Sequence, residues 1–259
     1  MKEKSNIRIL IHSVYMILFY SLVGICVSTA VSYYSVEMYQ KHYILCTFFA
    51  ALITIPFCLR QMKRDGFLAR ERQFLRENVS VSNFLAIVIL SISACVALNY
   101  WIKMLGLMEL FHGYDRVEKL IYGNSLLEEF LAVVLAAPIV EELLFRGLVF
   151  GNFKKLWNCR GAMLASALLF GLYHGNMLQF IYAFSIGLLL VYVYEVFGTI
   201  CAPILSHIVA NGASVLMTEC LDMSWVKGGR MLLFTLAFTL TGMLSLVWIA
   251  RKRKRKLDK

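Results

Sequence analysis

The chain has 259 residues, of which 60% are hydrophobic and only 16% are Asp, Glu, Lys or Arg. A soluble domain is roughly half apolar and about a quarter charged, so this composition excludes an ordinary water-soluble protein and indicates a membrane protein. The net charge of +10 comes from basic clusters, and without interleaved aromatic residues or a folded basic domain these clusters argue against binding to nucleic acid.

The hydropathy pattern predicts an all-α, polytopic integral membrane helix bundle of about eight transmembrane helices, with residues 1–259 forming a single membrane domain. The first apolar stretch is long and contains no Ala-x-Ala site, which indicates a span and not a removable signal peptide. The second and fifth spans are short, and we expect the fifth to be tilted or partial. In chain order the predicted spans are 9–33, 43–59, 83–104, 126–152, 162–175, 177–197, 199–219 and 230–250.

The segments between the spans carry few further signals. A polar, basic loop follows the second span, and segment 105–123 mixes apolar and charged residues, which is typical of an interfacial helix or an ordered loop. Ser125 and Glu128 have the spacing of a capping box, which predicts a helix start and not a second active site. Seven cysteines form no C-x-x-C pair and indicate neither a disulfide framework nor a thiolate metal site.

The distribution of charge predicts how the chain is inserted. With a cytoplasmic amino terminus, the cytoplasmic face holds 19 of the 26 Lys and Arg, the opposite face holds six, and Arg146 lies within the membrane. Cytoplasmic loops are rich in Lys and Arg, so we expect both termini to be cytoplasmic. The basic tail and the short loops favour a bacterial plasma membrane, in which anionic lipid attracts such basic segments.

A pair of carboxylates, Glu141 and Glu142, lies in the middle of the fourth span. A charged group at that depth costs roughly 2.5 to 3.5 kcal/mol on insertion scales, so its presence there indicates a function. Arg146 lies four residues after Glu142 on the same helical face, and the two are predicted to pair.

Two later spans repeat this four-residue spacing, which is about one helical turn. His174 lies four residues after Phe170 in the fifth span, and Asn211 lies four residues after His207 in the seventh. Counting 1.5 Å per residue from the cytoplasmic end puts Glu141, His174 and Asn211 about 20 Å deep, and His207 about 14 Å deep. These side chains are therefore predicted to surround one point inside the bundle.

This set of groups suits the hydrolysis of an amide inside a membrane cavity. A carboxylate and an imidazole around one water form a general-base pair, in which Glu141 would take the proton and His174 would orient or share it. Burial favours an uncharged carboxyl, and the positive charge of Arg146 would counter that tendency. His207 and Asn211 carry N–H donors, which suit a developing oxyanion.

The same residues also have structural explanations. A buried ion pair can simply hold helices together, a single histidine or asparagine in a membrane is often a structural hydrogen-bonding residue, and Phe170 is predicted to pack. Two Gly-x-x-x-Gly spacings, Gly147 to Gly151 and Gly171 to Gly175, favour close helix contacts. Three histidines without neighbouring partners carry no prediction: His12, His42 and His112.

The three motifs, E-E-x-x-x-R, F-x-x-x-H and H-x-x-x-N in membrane helices, resemble those of the CAAX protease and bacteriocin-processing (CPBP, or Abi) family. The resemblance covers residues 126–215, which would carry the catalytic core, and implies an eight-helix bundle with endopeptidase activity. It implies that Glu141 and His174 activate water and that His207 and Asn211 form the oxyanion hole. The residues in supporting roles would be Glu142, Arg146 and Phe170.

The resemblance implies no cofactor in the preferred glutamate-and-water mechanism, although two histidines and a glutamate could hold zinc. The expected partners are the lipid bilayer and a substrate that is a peptide, a membrane protein or a lipid-modified protein. An alternative function is non-catalytic, as a membrane immunity or scaffold protein that binds a bacteriocin. A transporter or proton relay is a third possibility, which the lack of an internal sequence repeat disfavours.

Overall fold

The structure is a computed structural model that describes residues 2–64, 80–111, 118, 122 and 124–257. Every regular element in these ranges is a helix, which confirms the predicted all-α class. The helices are α1 (Lys2–Tyr34), α2 (Val36–Lys41), α3 (Tyr43–Arg64), α4 (Val81–Met104), α5 (Leu107–Leu110), α6 (126–153), α7 (Cys159–Tyr173), α8 (Met177–Phe197), α9 (Cys201–Val215, continued as Leu216–Cys220) and α10 (Gly229–Leu257).

Within the described ranges, six helices are long and apolar enough to cross a membrane, namely α1, α3, α4, α8, α9 with its continuation, and α10. The polytopic membrane class is therefore confirmed. Helices α6 and α7 occupy the other two segments predicted as spans, and the total of eight stays a prediction. Most of segment 105–123, most of the predicted basic loop and His112 lie outside the described residues. All seven cysteines are free thiols, in agreement with the prediction of no disulfide framework.

Helix α6 carries the glutamate pair and changes its hydrogen-bonding pattern along its length. Two π-helical segments, Phe130–Ala136 and Leu143–Phe150, flank the α-helical segment Ala137–Glu142. Stretches of π-helix are rare and occur frequently at functional sites, because the wider turn redirects side chains and carbonyls. Glu141 and Glu142 therefore lie at the end of a short, regular segment between two irregular ones.

The start of α6 differs from the predicted capping box. Leu126 begins the helix after Ser125, but the Ser125 side chain makes no capping hydrogen bond. Glu128 instead contacts Nδ1 of His42 at 2.9 Å. The predicted helix start is confirmed, but the capping box was wrong because His42, 86 positions earlier in the chain, binds Glu128 and thereby links the start of α3 to the start of α6.

Helix α7 ends earlier than predicted. Its last residue is Tyr173, His174 caps it, and Gly175 has a φ of 78°, a left-handed conformation that glycine adopts without steric cost. The 15 residues of α7 span about 22 Å, which is less than the roughly 30 Å of a hydrocarbon core. The predicted partial span is thus confirmed in length, but His174 lies at the end of the helix and not inside it.

The first glycine of each Gly-x-x-x-Gly spacing lies at a close helix contact. A Cβ atom on Gly171 would lie 3.0 Å from the ring of Phe180 in α8, and one on Gly147 would lie 2.9 Å from the side chain of Met62 in α3. The second glycine of each spacing has no such neighbour within 4 Å. The predicted close contacts therefore occur at one glycine of each pair.

Contacts between helix ends show that the long helices alternate in direction. At one end of the bundle, which we call the terminal end, Asn152 of α6 donates to Ser13 of α1, and Lys154 pairs with Glu195 of α8 at 2.8 Å. At the opposite end, which we call the distal end, the starts of α3 and α6 and the end of α9 come together. The site described next lies toward the distal end.

Candidate active site

A cavity of about 320 Å³ lies among α3, α4, α6, α7, α8 and α9. Glu141, His174, His207 and Asn211 all line this cavity, so the structure brings together the four side chains that were predicted to surround one point. Three different helices supply them, with the glutamate from α6, the first histidine from α7 and the last two residues from α9. The volume and the mixed lining of apolar walls and few polar groups are typical of a small-molecule or peptide site.

Glu141 presents its carboxylate to the cavity from a largely buried position, with 8% of the residue exposed. Its Oε2 atom lies 3.8 Å from Nε2 of His207, which is too long for a hydrogen bond but within the range of an ion pair. The two groups thus face each other across a short gap.

The predicted pair of Glu142 and Arg146 is confirmed, and it lies behind the cavity. Arg146 Nη1 donates to Glu142 Oε1 at 2.8 Å, with both side chains fully buried. Arg146 Nη2 donates to the Gly187 carbonyl of α8 at 3.2 Å, and its Cζ lies 4.4 Å from the ring centroid of Phe170 in α7. A desolvated cation–π contact is worth about 2 kcal/mol, so Arg146 holds α6 against both neighbouring helices.

Glu142 also binds His207, a contact that was not predicted. The same Oε1 atom that accepts from Arg146 lies 2.9 Å from Nδ1 of His207. An ionised carboxylate only accepts hydrogen bonds, so Nδ1 carries the proton and donates. This leaves Nε2 of His207 pointing toward Glu141 and the cavity. Because 65 residues separate the two partners, no local sequence pattern signals the contact.

The early end of α7 fixes the orientation of His174. Its Nδ1 donates to the Phe170 carbonyl at 2.8 Å, and because a carbonyl only accepts, Nδ1 carries the proton and Nε2 has a lone pair. The backbone N–H of His174 bonds to Gly171, three residues back, so the last turn leaves the Phe170 carbonyl to the imidazole. The ring of Phe170 packs against the rings of His174 and His207, as its predicted packing role requires.

The side-chain amide of Asn211 binds the carbonyl of Val133, which receives no hydrogen bond from the backbone of α6. In the first π-helical segment, the N–H of Ala137 bonds to the carbonyl of Ala132, five residues back. The next donor in that pattern would be residue 138, which is a proline and has no N–H. The side-chain amide of Asn211 donates to the Val133 carbonyl at 2.9 Å in its place. A second amide proton of Asn211 is left for another acceptor.

The residues that line the cavity do not form a preassembled metal site. Within the described ranges, no group of three or more His, Cys, Asp or Glu is arranged to hold a metal ion. Both histidines use Nδ1 on protein oxygens, so each would offer only Nε2 to a ligand. Two Nε2 atoms and the Glu141 carboxylate would be the three ligands of a catalytic zinc, but these groups are not arranged around one ion in the described residues.

Comparison with known proteins supports the same region of the chain. Residues 123–213 match the family described as "Type II CAAX prenyl endopeptidase Rce1-like". The candidate membrane peptidase YdiL of Bacillus subtilis (strain 168) is 29% identical over 83 residues, which cover 32% of this chain and 34% of that protein. The alignment thus spans about a third of the length of this curated relative, and no solved structure matches the chain. The part of the chain that carries the three motifs and lines the cavity is therefore similar to the type II CAAX prenyl endopeptidases of this family.

Proposed function

We propose that the protein is an intramembrane endopeptidase that hydrolyses a peptide bond with a water activated by Glu141 and His174. The observation that carries this proposal is the convergence of four polar side chains from three helices on one buried cavity. A transporter or a scaffold would not require a base, a second base and two N–H donors around the same small volume.

The first step of the reaction is removal of a proton from water. The Glu141 carboxylate accepts this proton, and Nε2 of His174, which has a lone pair, accepts a hydrogen bond from the same water and fixes its direction. The oxygen then attacks the carbonyl carbon of the peptide bond. Glu141 afterwards carries the proton that the leaving amine needs, so one residue serves as base and then as acid.

The negative charge on the carbonyl oxygen is stabilised from α9. Asn211 donates its second amide proton, and the bond from its first proton to Val133 keeps the amide from rotating. His207 donates through Nε2 in its doubly protonated form, while Glu142 holds Nδ1. Donors that are fixed in advance are worth more than mobile ones, because they need no reorganisation as charge develops.

We further propose that this chemistry uses no metal ion. Among the described residues, Glu141 and the two histidines are not arranged to hold a metal ion, which supports this proposal. Cleavage should persist when the purified protein is assayed with a strong chelator, and loss of cleavage that added zinc restores would reject the proposal.

The substrate that we propose is a peptide, a membrane protein or a lipid-modified protein. The cavity is enclosed by membrane helices, so the bond to be cleaved must lie on a segment that can enter the bilayer. We place the protein in a bacterial plasma membrane with both termini cytoplasmic, on the distribution of Lys and Arg in the sequence.

The test is to replace Glu141 by Gln, which keeps the size of the side chain and removes the base. Cells that express the variant should accumulate an uncleaved substrate, which comparative peptidomics against the wild type identifies, while the protein level stays unchanged. Glu128→Gln is the matched control, because Glu128 lies in the same helix outside the cavity and pairs with His42. Retained function in Glu141→Gln would contradict the peptidase proposal and would indicate a non-catalytic immunity or scaffold protein.

A further inference from the structure

A second cavity adjoins the active-site cavity at the distal end of the bundle. The second cavity has a volume of about 670 Å³ and is the more open of the two. Four residues line both cavities, so the two volumes are adjacent and together extend from Glu141 toward the distal ends of the helices; we call the two cavities together the groove. The shared residues are Asn99, Met108, Ser214 and Thr218.

The groove draws its lining from the distal halves of the helices. Tyr43 begins α3, Asn99 lies in the second half of α4, and Thr218 lies beyond the end of α9 proper. Gln179 comes from the first turn of α8, and His174 caps the distal end of α7. Among the described residues, the groove has no lining residue at the terminal end, so its mouth lies at the distal end.

The two ends of the bundle carry opposite charge. Among the described residues, those at the terminal end include 15 Lys and Arg against two Asp and Glu, whereas those at the distal end include four Lys and Arg against seven Asp and Glu. Basic segments stay in the cytoplasm during membrane insertion, so the terminal end is the cytoplasmic end. The mouth of the groove then lies on the opposite side of the membrane.

We propose that the groove opens on the non-cytoplasmic face and admits an extended polypeptide segment that is presented from that face. This inference rests on the proposed function for its substrate, but the direction of the opening rests on helix direction and charge alone. The lining supports a polypeptide, because amide and hydroxyl groups are spread along apolar walls and can pair with backbone N–H and C=O groups. These groups belong to Asn99, Gln179, Ser214 and Thr218.

The opening can be located by cysteine labelling in intact cells. Thr218→Cys places a thiol at an exposed position that lines both cavities, and Arg160→Cys places one at an exposed position of the terminal end. A membrane-impermeant maleimide is added before or after permeabilisation, and labelled sites are mapped by peptide mass spectrometry. Two native exposed thiols at the ends of one helix, Cys201 and Cys220, serve as internal references.

We expect Thr218→Cys and Cys220 to be labelled in intact cells, and Arg160→Cys and Cys201 only after permeabilisation. The reverse pattern would overturn the proposal, as would a Thr218→Cys protein that stays unlabelled even after permeabilisation. The labelling is repeated in a Glu141→Gln background. Because it does not depend on catalysis, the direction of the opening can stand even where the proposed peptidase activity fails.

A second measurement tests whether substrate uses the groove. A bulky maleimide on Thr218→Cys should reduce cleavage of the substrate found by peptidomics by about tenfold or more, since misplacement of a substrate by 1 Å already costs about 10²-fold. The Arg160→Cys protein, labelled after permeabilisation, should keep its cleavage rate. Unchanged cleavage by the labelled Thr218→Cys protein would overturn the assignment of the groove to the substrate.

Discussion

Arg146 donates a hydrogen bond to Glu142 over 2.8 Å, and neither side chain has any exposed surface. Neither residue lines the cavity, yet Glu142 also holds Nδ1 of His207, which does. The ion pair therefore supports the site indirectly, by fixing one imidazole and by tying α6 to two neighbouring helices. Replacing only one member of such a pair strongly destabilises a protein, because the other charge is left buried without a partner.

The single variant Arg146→Met is expected to lower the free energy of unfolding by about 3 to 5 kcal/mol, since it leaves the buried carboxylate of Glu142 unpaired. The double variant Glu142→Gln with Arg146→Met should lose less, because no buried charge remains and Gln can still accept from His207. Thermal unfolding of the detergent-solubilised proteins gives the comparison. Lys154→Met is the control, since its partly exposed pair with Glu195 is worth about 1 kcal/mol or less. A double variant less stable than Arg146→Met would contradict this account.

His174→Ala should lower kcat/KM by about 10²- to 10⁴-fold, the usual contribution of a positioned acid or base. The fold should be kept, because the variant loses only one hydrogen bond and the ring contacts with Phe170 and Tyr173 at the end of α7. Steady-state cleavage of the substrate in detergent micelles measures the effect. His42→Ala is the matched control, as it removes a histidine that lies outside the cavity, and it should leave the rate unchanged. Equal rates for the two variants would exclude His174 from the chemistry.

Asn211→Ala should reduce kcat by about 10²- to 10³-fold with little change in KM, as expected for loss of a donor that acts on the oxyanion. Asn211→Asp should be less stable than Asn211→Ala, because it sets a carboxylate oxygen against the Val133 carbonyl. Kinetics and thermal unfolding of both variants separate the two effects. Asn158→Ala, which removes the N-cap of α7 outside the cavity, should cost about 1 kcal/mol of stability and no activity. A rise in KM with unchanged kcat would indicate a binding role instead.

Gly171→Ala should destabilise the protein by about 1 to 3 kcal/mol, the usual cost of overpacking. The added Cβ would lie 3.1 Å from the backbone carbonyl oxygen of Phe180, and a backbone atom in α8 cannot move aside cheaply. Gly151→Ala is the control, because no such neighbour lies within 4 Å of its Cβ and alanine favours a helix by up to about 1 kcal/mol. Thermal unfolding in detergent distinguishes them, and equal midpoints would show that α7 and α8 can separate slightly at no cost.

Local sequence patterns were enough to predict the six described helices that are long and apolar enough to cross a membrane, and the Glu142–Arg146 pair, because hydropathy and four-residue spacing both act within one helix. Depth counting also predicted that Glu141, His174, His207 and Asn211 meet. The counting succeeded although His174 lies at the end of α7, since the end of a short helix reaches about the same depth as the middle of a long one.

The remaining features depend on contacts that the sequence does not encode locally. The pairs of His42 with Glu128 and of His207 with Glu142 join residues 86 and 65 positions apart, so no motif signals them. The π-helical segments of α6 are equally hidden, because hydropathy records side chains and not the register of backbone hydrogen bonds. Pro138 was the available signal, since a proline inside a helix always leaves a carbonyl for some other donor.

The short helix α7 changes how far a peptide must travel from water. If α7 begins at the terminal boundary of a hydrocarbon layer about 30 Å thick, its length of about 22 Å leaves its capped end about 8 Å below the distal boundary. Two to three residues of extended chain cover that distance at about 3.3 Å each. Each backbone group in lipid without a hydrogen bond costs several kcal/mol, so a shallow entry spares a substrate most of the penalty of dehydration. A flexible chain end or a loop next to a membrane anchor can therefore reach His174 without first forming a transmembrane helix.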